Sequence, residues 1–137
     1  MTSAATVTAG GTLFEREFTI RRADLVAYAH ASGDHNPIHL DDEAARSAGL
    51  PGVIAHGMYT MGLAARAVAE WAGTSDRVTE LTARFAKPVV VPAEGGASVT
   101  VVGVVREVAE SGDIEVTMTV TCGTDKVLAP ARVTIAA

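Results

Sequence analysis

The sequence offers no cysteine pair, no long apolar run and no basic cluster. Its single cysteine, Cys122, has no partner within the chain, so nothing indicates an oxidising compartment. Met1 to Gly11 lacks the basic start and the apolar stretch of a secretory signal, and no apolar run approaches the length of a bilayer span. We therefore expect a cytoplasmic protein that does not enter a membrane.

The balance of charge argues against nucleic-acid binding. The chain has 16 acidic and 11 basic residues, a formal net charge of −5, and its basic residues are scattered along the sequence. We therefore expect no nucleic-acid partner. The length of 137 residues is that of one domain, which can bury about two-thirds of the surface that its unfolded form exposes.

The helical patterns are grouped in the first half of the chain. A short amphipathic pattern begins at Arg22 and ends at Gly33, and residues 43–48 form a connector. The longest pattern covers residues 55–72 and is apolar or small at nearly every position, which predicts a helix that is buried on most sides. Its predicted buried stripe consists of Met58, Met61, Ala65, Val68 and Ala72.

The second half of the chain is rich in valine and threonine and is divided by turn-forming residues, which predicts antiparallel strands joined by hairpins. These strands cover residues 78–88, 97–108, 114–122 and 127–135, after a first strand at 13–20. Helices first and strands last predict an α+β domain in which an antiparallel sheet curls round one long helix. We expect residues 1–11 to be flexible and residues 12–137 to form a single domain.

The segment after the first helix concentrates ionisable and turn-forming residues. Asp34 and His39 lie five residues apart, and a continuous helix would point them about 140° away from each other. Gly33 and Pro37 favour a loop, in which the carboxylate and the imidazole can face the same small volume. Such a pair suits proton transfer to and from water. Taken alone, the segment is equally consistent with a helix end followed by a simple turn.

His56 and Gly57 lie where the long helix begins. The first turn of a helix presents unpaired amide protons and the positive end of the helix dipole. Glycine at this position lets a ligand oxygen approach the backbone closely, so the Gly57 amide is suited to stabilise an oxyanion. The alternative is that Gly57 serves only the tight packing of the helix start.

A metal site is disfavoured by the same segment. His35 and His39 have the i, i+4 spacing of two helical ligands, but Pro37 between them interrupts the helix that this spacing requires. Although His56 and three aspartates lie nearby in the sequence, we expect neither zinc nor iron here. We expect no other cofactor.

These residues resemble the signatures of a known family. Tyr28, the run Ser32–His39 and the small residue Ala45 are similar to the first signature of the MaoC-like, R-specific enoyl hydratases, the hydratase 2 group of the hotdog fold. Ala55–Met58 resembles the second signature, and Arg84-Phe85 is also similar. The resemblance is closest to the single-hotdog actinobacterial branch, which includes the catalytic subunit of the (3R)-hydroxyacyl-ACP dehydratase.

The resemblance implies reversible addition of water to a trans-2-enoyl thioester of CoA or acyl carrier protein, giving the (3R)-hydroxyacyl thioester. By position, Asp34 and His39 would hold the water and move protons, and the Gly57 amide would bind the thioester oxygen. Asn36 would orient the site. The residues assigned to substrate binding are Tyr28, Ser32, Asn36, His56, Met58 and Arg84.

The resemblance also implies a dimer, either a homodimer or a heterodimer with a related hotdog subunit. One departure concerns Pro92–Gly96, where relatives often have Pro-Gly-Asp, and it leaves the shape of this loop open. A non-catalytic hotdog subunit or acyl-thioester binding module is a competing interpretation, which the presence of both Asp34 and His39 disfavours. A hotdog thioesterase is a third, but the first acid in the long helix is Glu70, near its far end.

Overall fold

The computed structural model describes residues 7–137. Its helices precede most of its strands, as the α+β prediction requires, and no helix among these residues is long and apolar enough to span a membrane. In chain order the elements are β1 (Thr12–Ile20), α1 (Arg22–Ser32), a one-turn 3₁₀ helix (Pro37–His39), α2 (Asp42–Ser47), α3 (Gly57–Ala72), β2 (Val78–Phe85), β3 (Ala97–Val108), β4 (Ile114–Cys122) and β5 (Asp125–Ile135).

The five strands form one antiparallel sheet in the order β1-β3-β4-β5-β2. Alternate residues of β3 and β4 are buried, as expected of strands with one face against a core. The helix α3 packs against β1, β2 and β3 and closes the inner face of the sheet. The predicted α+β architecture with a sheet around one long helix is therefore confirmed.

The predicted burial of the long helix is wrong. Of the predicted stripe only Val68 is buried, and Met58 is 58% exposed. The sheet covers one side of α3, while alanine and glycine on both sides of the helix hide the phase of its apolar pattern from the sequence. The buried residues of α3 are Thr60, Leu63, Ala64, Ala67 and Val68.

The predicted flexible segment 1–11 falls partly on residues 1–6, which lie outside the described residues. At its other end the chain is already paired with β3, because the Gly10 amide donates to the Val105 carbonyl (2.7 Å) and the Val105 amide donates to Gly11 (2.9 Å). Backbone pairing therefore begins two residues before β1.

Asp42, at the start of α2, is hydrogen-bonded to α1 and to the segment that leads into α3. Its Oδ1 accepts hydrogen bonds from the Arg22 side chain (2.9 Å) and from the Val53 amide (3.0 Å), while Arg22 Nε donates to the Val91 carbonyl (2.6 Å). The Val53 amide and then the Arg22 guanidinium lower the pKa of Asp42. Asp42 is also the first residue of α2, and the neighbouring Asp41 caps this helix through its side chain.

Candidate active site

Local hydrogen bonds in the loop after α1 hold the Asp34 carboxylate in place. Gly33 ends α1 in the left-handed conformation (φ 80°), and the Asp34 amide then donates to Ser32 Oγ (3.1 Å). The Asn36 amide donates to Asp34 Oδ1 (3.2 Å). The Asn36 side chain accepts from the Ile38 amide (3.3 Å), which starts the 3₁₀ turn that carries His39.

The His39 ring is buried, with 8% of the residue exposed, and it is held by a backbone carbonyl. Its Nδ1 lies 2.7 Å from the Ile54 oxygen. Because a carbonyl oxygen can only accept, Nδ1 carries the proton of this hydrogen bond. Within residues 7–137 the only hydrogen bond of the His39 ring is the one at Nδ1. Because His39 lines a cavity, Nε2 is the nitrogen that can exchange a proton there.

His56 contacts both members of the pair. Its Nε2 lies 3.1 Å from the Asp34 carbonyl oxygen, and its ring stacks on His39 with centroids 3.9 Å apart and planes at 23°. One carboxylate oxygen of Asp34 and one ring nitrogen from each histidine lie within 4.8 Å of one another. The structure thus brings together an acid and an imidazole that the sequence separates by five positions.

This cluster is poorly arranged for a metal ion. Ligand lone pairs must converge on one point, but nearly parallel stacked rings direct their in-plane lone pairs side by side. In addition, the hydrogen bond from His56 to the Asp34 carbonyl makes Nε2 a donor, so it has no lone pair to offer. The geometry suits proton transfer better than coordination.

The start of α3 faces the same cavity. The first hydrogen bonds of the helix run from the Tyr59 and Thr60 amides to the His56 carbonyl (3.0 and 3.2 Å), and in the described chain the Gly57 and Met58 amides have no partner. A Cβ on Gly57 would lie 3.0 Å from the Phe85 ring. The position of Gly57 in the first turn leaves its amide open, and its missing Cβ admits the close packing of Phe85, so the two interpretations of Gly57 are compatible.

A cavity of about 610 Å³ contains these groups. Asp34, His39 and the start of α3 form its polar part, and the rest of the lining is mainly apolar, as in most small-molecule sites. The apolar walls include Phe85, Ala86, Pro88, Val89, Val127 and Leu128.

Residues 4–124 match the family model of the MaoC like domain. The chain belongs to the MaoC-like family. The expected hotdog fold is thereby confirmed, since the chain also superposes closely on a solved MaoC-like dehydratase.

Relatives of this MaoC-like chain include longer proteins. The 3-hydroxyacyl-thioester dehydratase X of Mycobacterium tuberculosis is 44% identical over 77 residues, which cover 56% of this chain and 26% of that relative. A solved MaoC-like dehydratase superposes with a TM-score of 0.93 at 36% identity, covering 98% of this chain and 42% of that one. R-Hydratase PhaJ1 from Pseudomonas aeruginosa superposes with a TM-score of 0.79 at 26% identity, covering 95% and 82%. The chain thus spans about a quarter of the first relative and less than half of the second.

The structure of this MaoC-like domain sorts the substrate-binding candidates into two groups. Tyr28, Ser32, His56 and Met58 line the cavity, whereas Asn36 and Arg84 do not. Asn36 uses its side chain to cap the 3₁₀ turn. The cation in the described lining is Lys87, which forms an ion pair with Asp125 (3.3 Å).

Tyr28 packs against His56 and Tyr59. Its ring meets His56 edge-on at 4.7 Å and Tyr59 at 5.4 Å. Burial, followed by the charge of Asp24, raises the pKa of Tyr59 above its ordinary value.

Glu70, the acid considered for a thioesterase, lies outside the cavity lining. Its carboxylate binds Arg66 (3.1 Å) and Arg16 (3.4 Å) near the end of α3 remote from Gly57. The MaoC-like site therefore contains no contribution from this carboxylate.

Proposed function

We propose that the chain catalyses the reversible addition of water to a trans-2-enoyl thioester, giving the (3R)-hydroxyacyl thioester. The observation that carries this proposal is the placement of the Asp34 carboxylate, the His39 imidazole and the open Gly57 amide in one largely apolar cavity. The names of two relatives, a 3-hydroxyacyl-thioester dehydratase and an R-hydratase, denote the two directions of this one reaction.

Asp34 and His39 act together on the water in the hydration direction. The water oxygen bonds to the β-carbon, one of its protons passes to the pair, and the pair delivers a proton to the α-carbon, so no proton is gained or lost overall. Dehydration reverses these steps: the α-proton is removed, and the β-hydroxyl leaves as water after it is protonated. The hydrogen bond from His39 Nδ1 to Ile54 keeps Nε2 available for the exchange.

Besides the proton transfers by Asp34 and His39, the reaction requires stabilisation of the thioester oxygen, which the Gly57 amide supplies. A proton next to a thioester becomes removable only when the charge that develops on the thioester oxygen is stabilised. A single well-placed donor contributes about 2.7 to 4 kcal/mol to such stabilisation. The positive end of the α3 dipole adds to the same effect.

The cavity lining indicates how the rest of the substrate binds. Apolar walls from Phe85 to Val89 and from β5 suit an acyl chain. We propose that Lys87, whose side chain is 61% exposed, attracts the phosphate of the carrier arm, which CoA and acyl carrier protein share. Arg84, also exposed, is a second candidate for this phosphate.

We also propose that two copies associate along β2. This strand lies at one end of the sheet order, so its outer side has no neighbouring strand in the described chain. Phe85, at the end of β2, is 54% exposed, as is expected of an apolar side chain that a partner covers. A related hotdog subunit in place of the second copy would give the heterodimer.

Turnover of a substrate panel tests the proposed function. The purified protein is incubated with trans-2-enoyl-CoA and enoyl-ACP substrates of increasing acyl length, and the hydroxyacyl product is resolved on a chiral column. We expect loss of enoyl absorbance and a product of R configuration. Binding of acyl-CoA with no turnover, alone or with a related hotdog subunit, would contradict the proposal and favour the non-catalytic interpretation.

A further inference from the structure

His56 has almost no surface with which to bind a substrate. Only 2% of the residue is exposed, and its ring is enclosed by His39 on one face and by the edge of Tyr28. Its two ring nitrogens differ: Nε2 donates to the Asp34 carbonyl, whereas Nδ1 is buried and has no partner within residues 7–137. Although His56 lines the cavity, its ring is therefore occupied mainly by contacts with protein groups.

We propose that His56 is a positioning residue, whose Nε2–H bond to the Asp34 carbonyl sets the separation of Asp34 from His39 and from the Gly57 amide. This inference rests on the proposed function, because it assigns His56 a role in that same reaction. It replaces the expectation that His56 binds substrate.

The loop that carries Asp34 has little else to fix it. Residues 33–36 are exposed, and their other hydrogen bonds in the described chain run to residues at most four positions away. The bond from His56 crosses 22 positions. It is therefore the hydrogen bond that ties the loop to the body of the domain.

The position of His56 in the chain extends its effect to the oxyanion donor. His56 is the N-cap residue of α3 and is covalently joined to Gly57. Its ring stacks on the face of His39, whose Nδ1 is bonded to the Ile54 carbonyl. The His56 side chain thus links Asp34, His39 and the Gly57 amide, and a displacement of this side chain would misalign all three.

The unpaired Nδ1 indicates which property of His56 is needed. A buried acceptor without a partner destabilises the fold, and an apolar ring of similar shape would avoid that cost while keeping the stack on His39. A phenyl ring, however, has no donor for the Asp34 carbonyl. The Nε2–H group is therefore the part of His56 that the site requires.

Two variants separate the donor from the ring. His56→Gln places an amide N–H the same number of bonds from Cα as histidine Nε2, whereas His56→Phe keeps the aromatic face and removes the donor. We expect His56→Gln to keep at least about a third of wild-type kcat, and His56→Phe to lose roughly 10- to 100-fold in kcat with KM within about twofold. Val68→Ala, a core variant about 18 Å further along α3 than His56, controls for lost stability and keeps wild-type kcat for the folded fraction.

Crystal structures of the two His56 variants provide a readout that does not depend on turnover. We expect the Asp34–His39 separation to stay within about 0.5 Å of wild type in His56→Gln and to change by about 1 Å or more in His56→Phe. The inference is overturned if His56→Phe keeps this separation and full kcat, if His56→Gln is as impaired as His56→Phe, or if KM rises while kcat is unchanged. An inactive wild type would refute the proposed function, while the two structures would still decide the role of His56.

Discussion

In the proposed reaction Gly57 acts through its backbone amide, and its missing side chain matters for a separate reason. Its amide has no partner among residues 7–137 and the residue lines the cavity, while a Cβ at this position would meet the Phe85 ring. One substitution can remove the amide proton and another can add a Cβ while keeping that proton, so the two contributions can be measured separately.

Gly57→Pro is the variant that deletes the amide proton. Proline is well tolerated at the first helical position, and the preceding residue, His56, already has the extended angles that proline demands (φ −60°, ψ 133°). We expect kcat for enoyl hydration to fall by about 10²- to 10³-fold. Steady-state kinetics with a trans-2-enoyl-CoA substrate checks this expectation.

Gly57→Ala is the matched control, since it adds a Cβ against Phe85 but keeps the amide. We expect a loss of at most about tenfold, because the ring can move by the few tenths of an ångström that a contact of 3.0 Å requires. Equal losses in the two variants would mean that Gly57 is needed for packing alone.

The chemistry-bearing side chains could be predicted from the sequence, but their backbone partners could not. Asp34 and His39 stand out because a loop with Gly33 and Pro37 allows the two side chains to face the same volume. The carbonyls of Asp34 and Ile54 hold the two histidines. Every residue has a backbone carbonyl, so the sequence does not indicate which carbonyls will accept these hydrogen bonds. Asn36 was assigned to the substrate, yet its side chain bonds its own turn, which is the competing property of asparagine.

The loop before β3 meets the end of β1 at Gly96. A Cβ on Gly96 would overlap the carbonyl oxygen of Ile20, and the residue has a φ of 71°. The neighbouring Gly95 has a φ of 79° but open space around it. The two glycines therefore share a backbone constraint and differ in packing.

Alanine substitutions at these two glycines separate packing from conformation. We expect Gly95→Ala to cost about 1 kcal/mol of unfolding free energy, the penalty of a left-handed alanine, and Gly96→Ala to cost about 3 kcal/mol or more, since the Ile20 backbone must also move. Urea unfolding measures both. Similar losses in the two variants would show that β1 does not pack on Gly96.

Asp42 makes the stability of the domain depend on pH. Its folded pKa is lowered, chiefly by the Val53 amide and then by Arg22, so its stabilising effect is complete above the unfolded value of 3.8 and is lost as pH falls through the folded pKa. We expect Asp42→Asn to be less stable than wild type at neutral pH, and the difference to shrink below about pH 4. Urea unfolding across this range checks it.

Asp41→Asn is the control for Asp42→Asn, because asparagine also caps a helix. We expect its unfolding free energy to follow that of wild type throughout. A difference between wild type and Asp42→Asn that stays constant down to about pH 3 would contradict the role assigned to the carboxylate.

The bounds of the elements could be predicted closely, and the phase of the long helix could not. Valine and threonine runs between turn residues located β3 at its observed Ala97–Val108, and β4 at Ile114–Cys122. In α3, small residues occupy both sides, so apolar periodicity does not reveal which side the sheet covers. That information lies in the contacts of α3 with β1 and β2, not in its own sequence.

The free side of β2 leads to an expectation for the assembled protein. If two copies pair along this strand, light scattering behind size-exclusion chromatography gives about 28 kDa, twice the chain mass of 14.1 kDa. An active species with the mass of one chain would contradict pairing through β2. A mass that doubles only after a related hotdog subunit is added would indicate the heterodimer.

The central claim is that the Asp34 and His39 side chains carry out the hydration. It is tested most directly by the initial rate at which crotonyl-CoA loses its enoyl absorbance, compared for wild type, Asp34→Asn and His39→Gln at equal folded concentration. We expect a measurable wild-type rate and a fall of about 10²- to 10⁴-fold in each variant. A wild-type rate that survives either substitution, or a wild type without turnover on any enoyl thioester, would contradict the account.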